Sequence, residues 1–139
     1  MDLGIAGKRA LVTGSTAGIG FATARTLARE GARVVVNGRT QARVDAAVSA
    51  IHAAVPGSHI GGVAADLGTA AGCEAVIDQV PVVDILVNNV GIFEVRPFEE
   101  ITDADWLRFF EVNVLSGVRL ARHYLPIMRI EKWGRVVFV

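Results

Sequence analysis

The chain has 139 residues, of which 52% are hydrophobic and 20% are charged. This length suits one domain of ordinary size, and this composition excludes an intrinsically disordered chain. Fourteen basic and fourteen acidic side chains cancel to a formal net charge of zero. Because there is no basic excess, we expect neither a nucleic-acid partner nor binding to an anionic membrane surface.

Cys73 is the only cysteine, so an internal disulfide is impossible and the chain does not resemble a disulfide-rich secreted scaffold. Segment 1–7 lacks the apolar run of a signal peptide, and no stretch approaches the ~18 apolar residues of a membrane span. The default expectation is therefore a cytoplasmic protein. His52, His59 and His123 have no metal-ligand spacing with one another or with Cys73, so we expect no metal site.

Short apolar runs and longer segments with helical spacing alternate along the whole chain. The apolar runs predict strands at 9–13, 33–37, 60–65, 84–88 and 135–139. The helical spacing predicts helices at 18–30, 41–55, 69–80 and 102–128, with a loop at 91–101. Thr69 is a candidate N-cap for the third helix, and Thr102 with Asp105 forms a candidate capping box for the fourth.

This alternation predicts an α/β fold in which helices cover both faces of a parallel sheet. The strands are continuously apolar, which indicates burial on both faces. We expect one Rossmann-type, doubly wound domain over residues 1–139 with strand order 3-2-1-4-5. A ligand would bind in the crevice between the carboxyl ends of strands 1 and 4, where the winding reverses.

A glycine-rich turn at 13–20 links the first strand to the first helix. Gly14 permits the sharp turn, Gly18 lets the backbone approach a ligand, and Gly20 allows close packing of helix on strand. The free amides at the start of the helix suit a pyrophosphate. The predicted phosphate-binding residues are Gly14, Ser15, Thr16, Gly18, Ile19 and Gly20, in which Ser15 and Thr16 add hydroxyl donors. The simpler alternative is a plain turn without a ligand.

The spacing of this turn resembles the TGxxxGxG motif of the short-chain dehydrogenases/reductases. Segment 88–91, Asn-Asn-Val-Gly, is similar to the NNAG motif of that family, with Val90 in place of the usual alanine. Asp66-Leu67 resembles the adenine-contacting site after the third strand, and Asn113 resembles the family's active-site asparagine. The resemblance covers the whole chain in order and spacing, and it is nearest in appearance to the 3-oxoacyl reductases.

The resemblance implies a role for each matched residue. The residues that would border the cofactor are Asp66, Leu67, Asn89, Val90 and Gly91. Asn113 would be catalytic by holding a water molecule in a proton relay. Each role has a structural alternative, because Asp66 could cap a turn, Asn89 could tie strands together, and Asn113 could be a core asparagine with a paired amide.

The end of the second strand bears on the choice of nicotinamide cofactor. Sheets that bind NAD usually place an acidic residue there, on the ribose 2′-hydroxyl. No acid occurs between Glu30 and Asp45, and Arg39 stands near the expected position. A guanidinium suits a 2′-phosphate, and family members with arginine here generally use NADP(H). We therefore predict a preference for NADP(H) over NAD(H), with a solvated loop arginine as the alternative for Arg39.

The family's chemistry also needs a serine and a Tyr-x-x-x-Lys pair, in which the tyrosine protonates the carbonyl oxygen. The only tyrosine, Tyr124, is followed four residues later by Met128, so the pair does not occur here. In the family the serine follows closely after the fifth strand. We therefore expect a fold truncated after that strand, with an apolar edge at 135–139. Alone, such a chain would be marginally stable, aggregation-prone or dimeric.

These observations lead to one functional hypothesis and one alternative. The first is an NADP(H)-dependent oxidoreductase that moves hydride between nicotinamide and a small carbonyl or alcohol compound. This chain would supply the cofactor-binding half and would be inactive alone. The alternative is a non-catalytic dinucleotide-binding module. The resemblance further implies a homo-oligomer, a dimer or tetramer assembled through helix 102–128.

Overall fold

The computed structural model describes residues 2–139 and contains a five-stranded sheet flanked by helices. The strands are β1 Arg9–Val12, β2 Arg33–Gly38, β3 Ile60–Ala64, β4 Ile85–Asn88 and β5 Arg135–Phe138. The helices are α1 Gly18–Arg29, α2 Gln41–Ala54, α3 Ala70–Gln79, α4 Asp103–Phe110 and α5 Ser116–Ile130. A short 3₁₀ turn at Phe98–Glu100 lies in the predicted loop, and a π-helical segment at Glu111–Leu115 joins α4 to α5.

The sheet is parallel throughout and has the order β3-β2-β1-β4-β5, which confirms the predicted topology. In the centre, Leu11 of β1 pairs with Val35 of β2 on one side and with Leu86 of β4 on the other. The winding reverses between β1 and β4, so the connections that leave their carboxyl ends diverge and open a crevice.

Two hydrophobic layers sandwich the sheet, because successive strand side chains point to opposite faces. Ala10 and Val12 pack against α1 and α2, whereas Leu11 packs against α3 and α5. Burial on both faces is confirmed for β4 and for β1 after its first residue. It is wrong for the edge strands: Gly61 and Gly62 of β3 are exposed, and Phe138 of β5 is 58% exposed.

Helix α1 packs on the sheet mainly through small residues, with Phe21 and Leu27 partly buried beside them. Its buried residues are Gly20, Ala24 and Ala28, which recur every four residues. Ile19, one of the residues whose spacing predicts the helix, is 67% exposed. Because the side chains on this buried face are small, α1 lies close to β1.

The predicted helix 102–128 forms, but a π-helical segment interrupts it. The capping box at its start is confirmed, since Thr102 Oγ1 accepts from the Asp105 amide at 3.2 Å and Asp105 Oδ2 accepts from the Thr102 amide at 3.0 Å. Within the segment, Ser116 Oγ donates to the Val112 carbonyl oxygen at 2.6 Å and so satisfies a carbonyl on the wide turn. The Thr69 cap of α3 is also confirmed, because its Oγ1 accepts from the Gly72 amide at 3.0 Å.

Candidate functional site

The turn between β1 and α1 depends on glycine at three positions. Gly14 has φ +58° and Gly18 has φ +57°, in the left-handed region that favours glycine. A Cβ added to Gly20 would lie 2.5 Å from the Gly14 carbonyl oxygen, so no larger residue fits there. No atom lies within 4 Å of a Cβ added to Gly18, which leaves open space beside its backbone. The backbone angles of Gly14 and Gly18 and the close contacts at Gly20 thus favour glycine, and the role of Gly18 toward a ligand stays a prediction.

The first backbone amides of α1 have no hydrogen-bond partner within the helix, and they lie beside this open space. Its N-cap residue, Ala17, offers no side-chain cap, and the first turn contains no acidic residue. Uncapped amides and the positive end of the helix dipole attract an anion. The residues present therefore fit a phosphate group.

Asn37, at the carboxyl end of β2, holds the turn in place. Its Oδ1 accepts from the Gly14 amide at 3.2 Å, and its Nδ2 donates to the carbonyl oxygens of Val63 and Ala65, both at 3.2 Å. The side chain is 1% exposed. One buried amide thus joins the glycine turn, β2 and the end of β3. The sequence analysis missed this residue, although a polar side chain at the end of an apolar strand is a signal that could have found it.

The two hydroxyl residues of the turn differ in what they offer a ligand. Ser15 is buried, and its Oγ donates to the Val12 carbonyl oxygen at 2.6 Å while accepting from the Asn37 amide at 2.9 Å. In this structure the hydroxyl proton of Ser15 is used in the bond to Val12, and its role toward a ligand stays a prediction. Thr16 lies against Gly38, where an added Cβ would overlap its methyl group, and it lines the adjacent cavity.

Asn89 ties the carboxyl ends of β1 and β4 together. Its Nδ2 donates to the carbonyl oxygens of Thr13 at 3.1 Å and Gly14 at 3.0 Å. Thr13 Oγ1 in turn accepts from the amides of Asn89 at 2.9 Å and Val90 at 3.0 Å. Val90 packs on Gly14, where an added Cβ would lie 3.2 Å from its Cγ2. Asn89 thus ties the strand ends together and also lines the cavity, and its role beside a cofactor stays a prediction.

A cavity of approximately 480 Å³ opens at the carboxyl edge of the sheet beside this turn. The predicted site residues that line it are Gly14, Thr16, Arg39, Asp66, Leu67, Asn89, Val90 and Gly91. Ser15, Gly18, Ile19, Gly20 and Asn113 are not among its lining residues. Lining residues that the sequence analysis missed include Asn37, Arg43, Ile92 and Arg108. The lining residues predicted from the sequence thus come from the glycine turn and the segments after β2, β3 and β4, whereas Asn37 and the helix side chains were not predicted.

The cavity wall carries more positive than negative charge. Arg39, Arg43 and Arg108 line it, whereas Asp66 is the one acidic residue among the lining residues that the structure describes. The Asp66 Oδ1 accepts from the Gly68 amide at 3.0 Å, so this carboxylate also stabilises the turn after β3. Leu67 lines the cavity although its side chain packs in the core beneath the sheet. A wall of this charge suits a polyanionic ligand.

Asn113 lies in the π-helical segment and clamps the loop that follows β4. Its Oδ1 accepts from the Ile92 amide at 2.7 Å, and its Nδ2 donates to the Ile92 carbonyl oxygen at 3.0 Å. Asn113 is exposed, so the alternative of a core asparagine is wrong about burial and right about a paired amide. One amide proton and one oxygen lone pair stay free of these two bonds. The water-holding role is still a prediction.

A family model described as short chain dehydrogenase matches residues 8–139. The chain belongs to the short-chain dehydrogenase family. It is 49% identical over 139 residues to the uncharacterized oxidoreductase YvaG of Bacillus subtilis, an alignment that covers 100% of this chain and 53% of that protein. The chain thus spans about half the length of the curated relatives it matches.

Two solved structures extend this comparison. L-sorbose reductase from Gluconobacter frateurii, complexed with NADPH and L-sorbose, has a TM-score of 0.93 and 37% identity, with 99% of this chain and 54% of that chain covered. A metagenomic short-chain oxidoreductase in complex with NADP has a TM-score of 0.83 and 33% identity, with 96% and 61% covered. Both identities and scores support the family assignment and the Rossmann-type fold.

Two further residues of this short-chain dehydrogenase chain, Tyr124 and Cys73, lie in the core and do not line the cavity. Tyr124 is fully buried, its hydroxyl donates to the Val80 carbonyl oxygen at 2.6 Å, and burial raises its pKa well above the usual value. Burial likewise raises the pKa of the Cys73 thiol.

Over residues 2–139, no three His, Cys, Asp or Glu side chains cluster as metal ligands. In the same range, no helix has the length and apolar character that a membrane crossing requires.

Proposed function

We propose that the protein is an NADP(H)-dependent oxidoreductase that moves hydride between nicotinamide and a small carbonyl or alcohol compound. This chain supplies the cofactor-binding half. The observation that carries the proposal is Arg39, which follows β2 and lines the cavity where NAD-binding sheets carry an acid. NADPH and NADP in the two similar solved structures support the same cofactor.

Each group at the cavity suits one part of such a cofactor. The free amides of the turn beside Gly18 bind the pyrophosphate, and the Arg39 guanidinium binds the 2′-phosphate. Asp66 and Leu67 border the adenine, while Asn89, Val90 and Gly91 border the remainder. The bound cofactor supplies hydride, and this chain binds it, orients it and shields one side of it from water. Thr16 of the glycine turn adds a hydroxyl group to the cavity wall, next to the end of β2.

Asn113 takes the rear position in the proposed proton relay. Its bonds to Ile92 fix the amide plane, so its free lone pair and proton are held in one direction. A water molecule in the relay would bond to this free lone pair or proton. The tyrosine that donates the proton to the substrate is not Tyr124, whose hydroxyl is committed to Val80 in the core.

The proposed cofactor preference is tested by Arg39→Asp in the full-length protein. Affinities for NADPH and NADH are measured by calorimetry, which requires no turnover. The substitution removes a charge-assisted contact to the 2′-phosphate and adds a repulsive charge, so the NADPH/NADH affinity ratio should fall about 100-fold and favour NADH. Arg29→Asp, at the exposed end of α1 and outside the cavity, is the control and should leave the ratio unchanged. Equal affinity of the unsubstituted protein for both cofactors would refute the proposal.

A non-catalytic dinucleotide-binding module is the second candidate. It rests on the glycine turn and the cavity beside it, which suit a dinucleotide without requiring a catalytic group. Both candidates require NADPH binding. Oxidation of NADPH by the full-length protein in the presence of a carbonyl compound separates them, because only the oxidoreductase consumes the cofactor.

The proposal includes assembly into a homo-oligomer through α4 and α5. Short-chain dehydrogenases are commonly oligomeric, and one stripe along these helices exposes large apolar side chains. The stripe consists of Trp106, Leu107, Phe110, Val114 and Val118. A second copy of the chain would remove this apolar area from water.

A further inference from the structure

Two arginines, Arg39 and Arg43, lie together on the wall of the 480 Å³ cavity. Arg39 follows β2 directly, and Arg43 lies in the first turn of α2. Among residues 2–139, neither guanidinium has a carboxylate oxygen within the 4.0 Å of a salt bridge. Both side chains are exposed, so two unneutralised cations face the same space at the end of β2.

The position of Arg43 is fixed by its neighbour in the chain. Val44 is fully buried and packs on two glycines, Gly38 of β2 and Gly62 of β3. A Cβ added to Gly62 would overlap a methyl group of Val44, and one added to Gly38 would lie 3.3 Å from it. The first turn of α2 is therefore seated tightly on the sheet. Because adjacent residues are about 100° apart around a helix, anchoring Val44 also sets the direction of Arg43.

The charges around this arginine pair leave it positive. The first turn of α2 contains no acidic residue, and its amino end adds the favourable end of a helix dipole. The nearest acid along the chain, Asp45, accepts from Gln41 Nε2 at 2.7 Å and does not line the cavity. Asp66 does line the cavity, where its carboxylate accepts from the Gly68 amide. Three arginines on the wall outnumber this single acid.

A phosphate monoester carries close to two negative charges at neutral pH, which one guanidinium does not neutralise. We propose that Arg43 is a second 2′-phosphate-binding residue, which acts with Arg39 to set the preference for NADP(H). This inference rests on the proposed function. Thr16 lines the same cavity, and its side chain packs on Gly38, the residue before Arg39. Arg43 belongs to the first turn of α2, whereas Arg39 belongs to the loop that precedes it.

The inference is tested in the full-length protein with two small probes, adenosine 2′,5′-bisphosphate and AMP, which differ only in the 2′-phosphate. Calorimetry gives both dissociation constants for the unsubstituted protein and for Arg43→Gln, Arg43→Lys, Arg39→Gln and Arg29→Gln. Loss of one charge-assisted contact should weaken the bisphosphate by about tenfold in Arg43→Gln, and AMP by less than about twofold. Arg43→Lys keeps the charge and should recover part of the loss. Arg29→Gln, which lies outside the cavity, should change neither constant.

Three outcomes overturn the inference, and they are distinguishable. If Arg43→Gln leaves bisphosphate affinity unchanged while Arg39→Gln lowers it, Arg43 has no role and the proposed NADP(H) preference stands. If Arg43→Gln weakens both probes equally, the residue acts on the fold or on general charge. If the unsubstituted protein binds both probes equally, the proposed cofactor preference fails together with the inference.

Discussion

Replacing Asn37 with alanine should destabilise the protein more than any surface change. The side chain is buried and makes three hydrogen bonds of 3.2 Å, to the Gly14 amide and to the carbonyl oxygens of Val63 and Ala65. At about 1 kcal/mol for each bond, the expected loss in the free energy of unfolding is about 3 kcal/mol. The loss falls on the glycine turn, so cofactor affinity should fall with stability.

Asn37→Asp probes the same contacts with almost no change in shape. A carboxylate keeps an acceptor for the Gly14 amide, but it turns a charged oxygen toward the carbonyl oxygens of Val63 and Ala65. A buried charge facing two acceptors costs more than an absent side chain. We therefore expect Asn37→Asp to be less stable than Asn37→Ala, although it is the more conservative substitution in volume.

Urea unfolding followed by circular dichroism measures these differences as shifts in the midpoint at constant slope. Gln41→Ala is the matched control, because Gln41 makes one exposed hydrogen bond to Asp45 and its loss should cost less than about 0.5 kcal/mol. A loss below about 1 kcal/mol for Asn37→Ala would refute the reasoning, since three buried bonds cannot be that weak. So would an Asn37→Asp variant that is the more stable of the two.

Two further predictions concern charge and assembly. The hydrogen bond from Arg9 lowers the pKa of Asp84 below its ordinary value of 3.8. The pair therefore stabilises the fold above pH 3.8, and this stabilisation is lost as the pH falls through the lower pKa of the folded state. Because Arg9 is 46% exposed, Arg9→Gln should lower the free energy of unfolding by only about 0.5 kcal/mol at neutral pH. The urea midpoint of the variant should fall less between neutral and acid pH than that of the unsubstituted protein. An equal fall in both proteins would contradict this. Leu107→Asp puts a charge on the exposed stripe of α4 and should shift sedimentation toward the monomer, whereas Ala50→Asp, on exposed α2, should not. An unchanged oligomer would place the interface elsewhere.

The strand order was predictable because each apolar run ends at a turn or polar residue and is followed by a helix. Parallel strands joined by helices accept few arrangements, and the glycine turn marks the first connection. The prediction failed at the edges, where β3 and β5 read as apolar although one neighbour is missing. Apolar character alone does not reveal whether a strand lies inside a sheet or at its margin.

The site could be predicted only where its residues follow one another in the chain. The glycine turn and the segment with Asn89 are local patterns. Asn37 was missed because its partners, Gly14, Val63 and Ala65, belong to separate segments. Arg43 was missed for another reason, since a charged residue in an amphipathic helix usually marks a solvated face. Its place on the cavity wall follows from Val44 packing against the sheet.

The π-helical segment Glu111–Leu115 constrains how this region can change in length. It accommodates one residue more than an α-helix, which rotates everything after it by about 100° relative to everything before it. In this phase, Arg108 and Val112 line the cavity while Leu120 and Tyr124 enter the core. Deleting a single codon here would bring either the site or the core out of alignment. Indels are thus tolerable in the loops, but not within this helix.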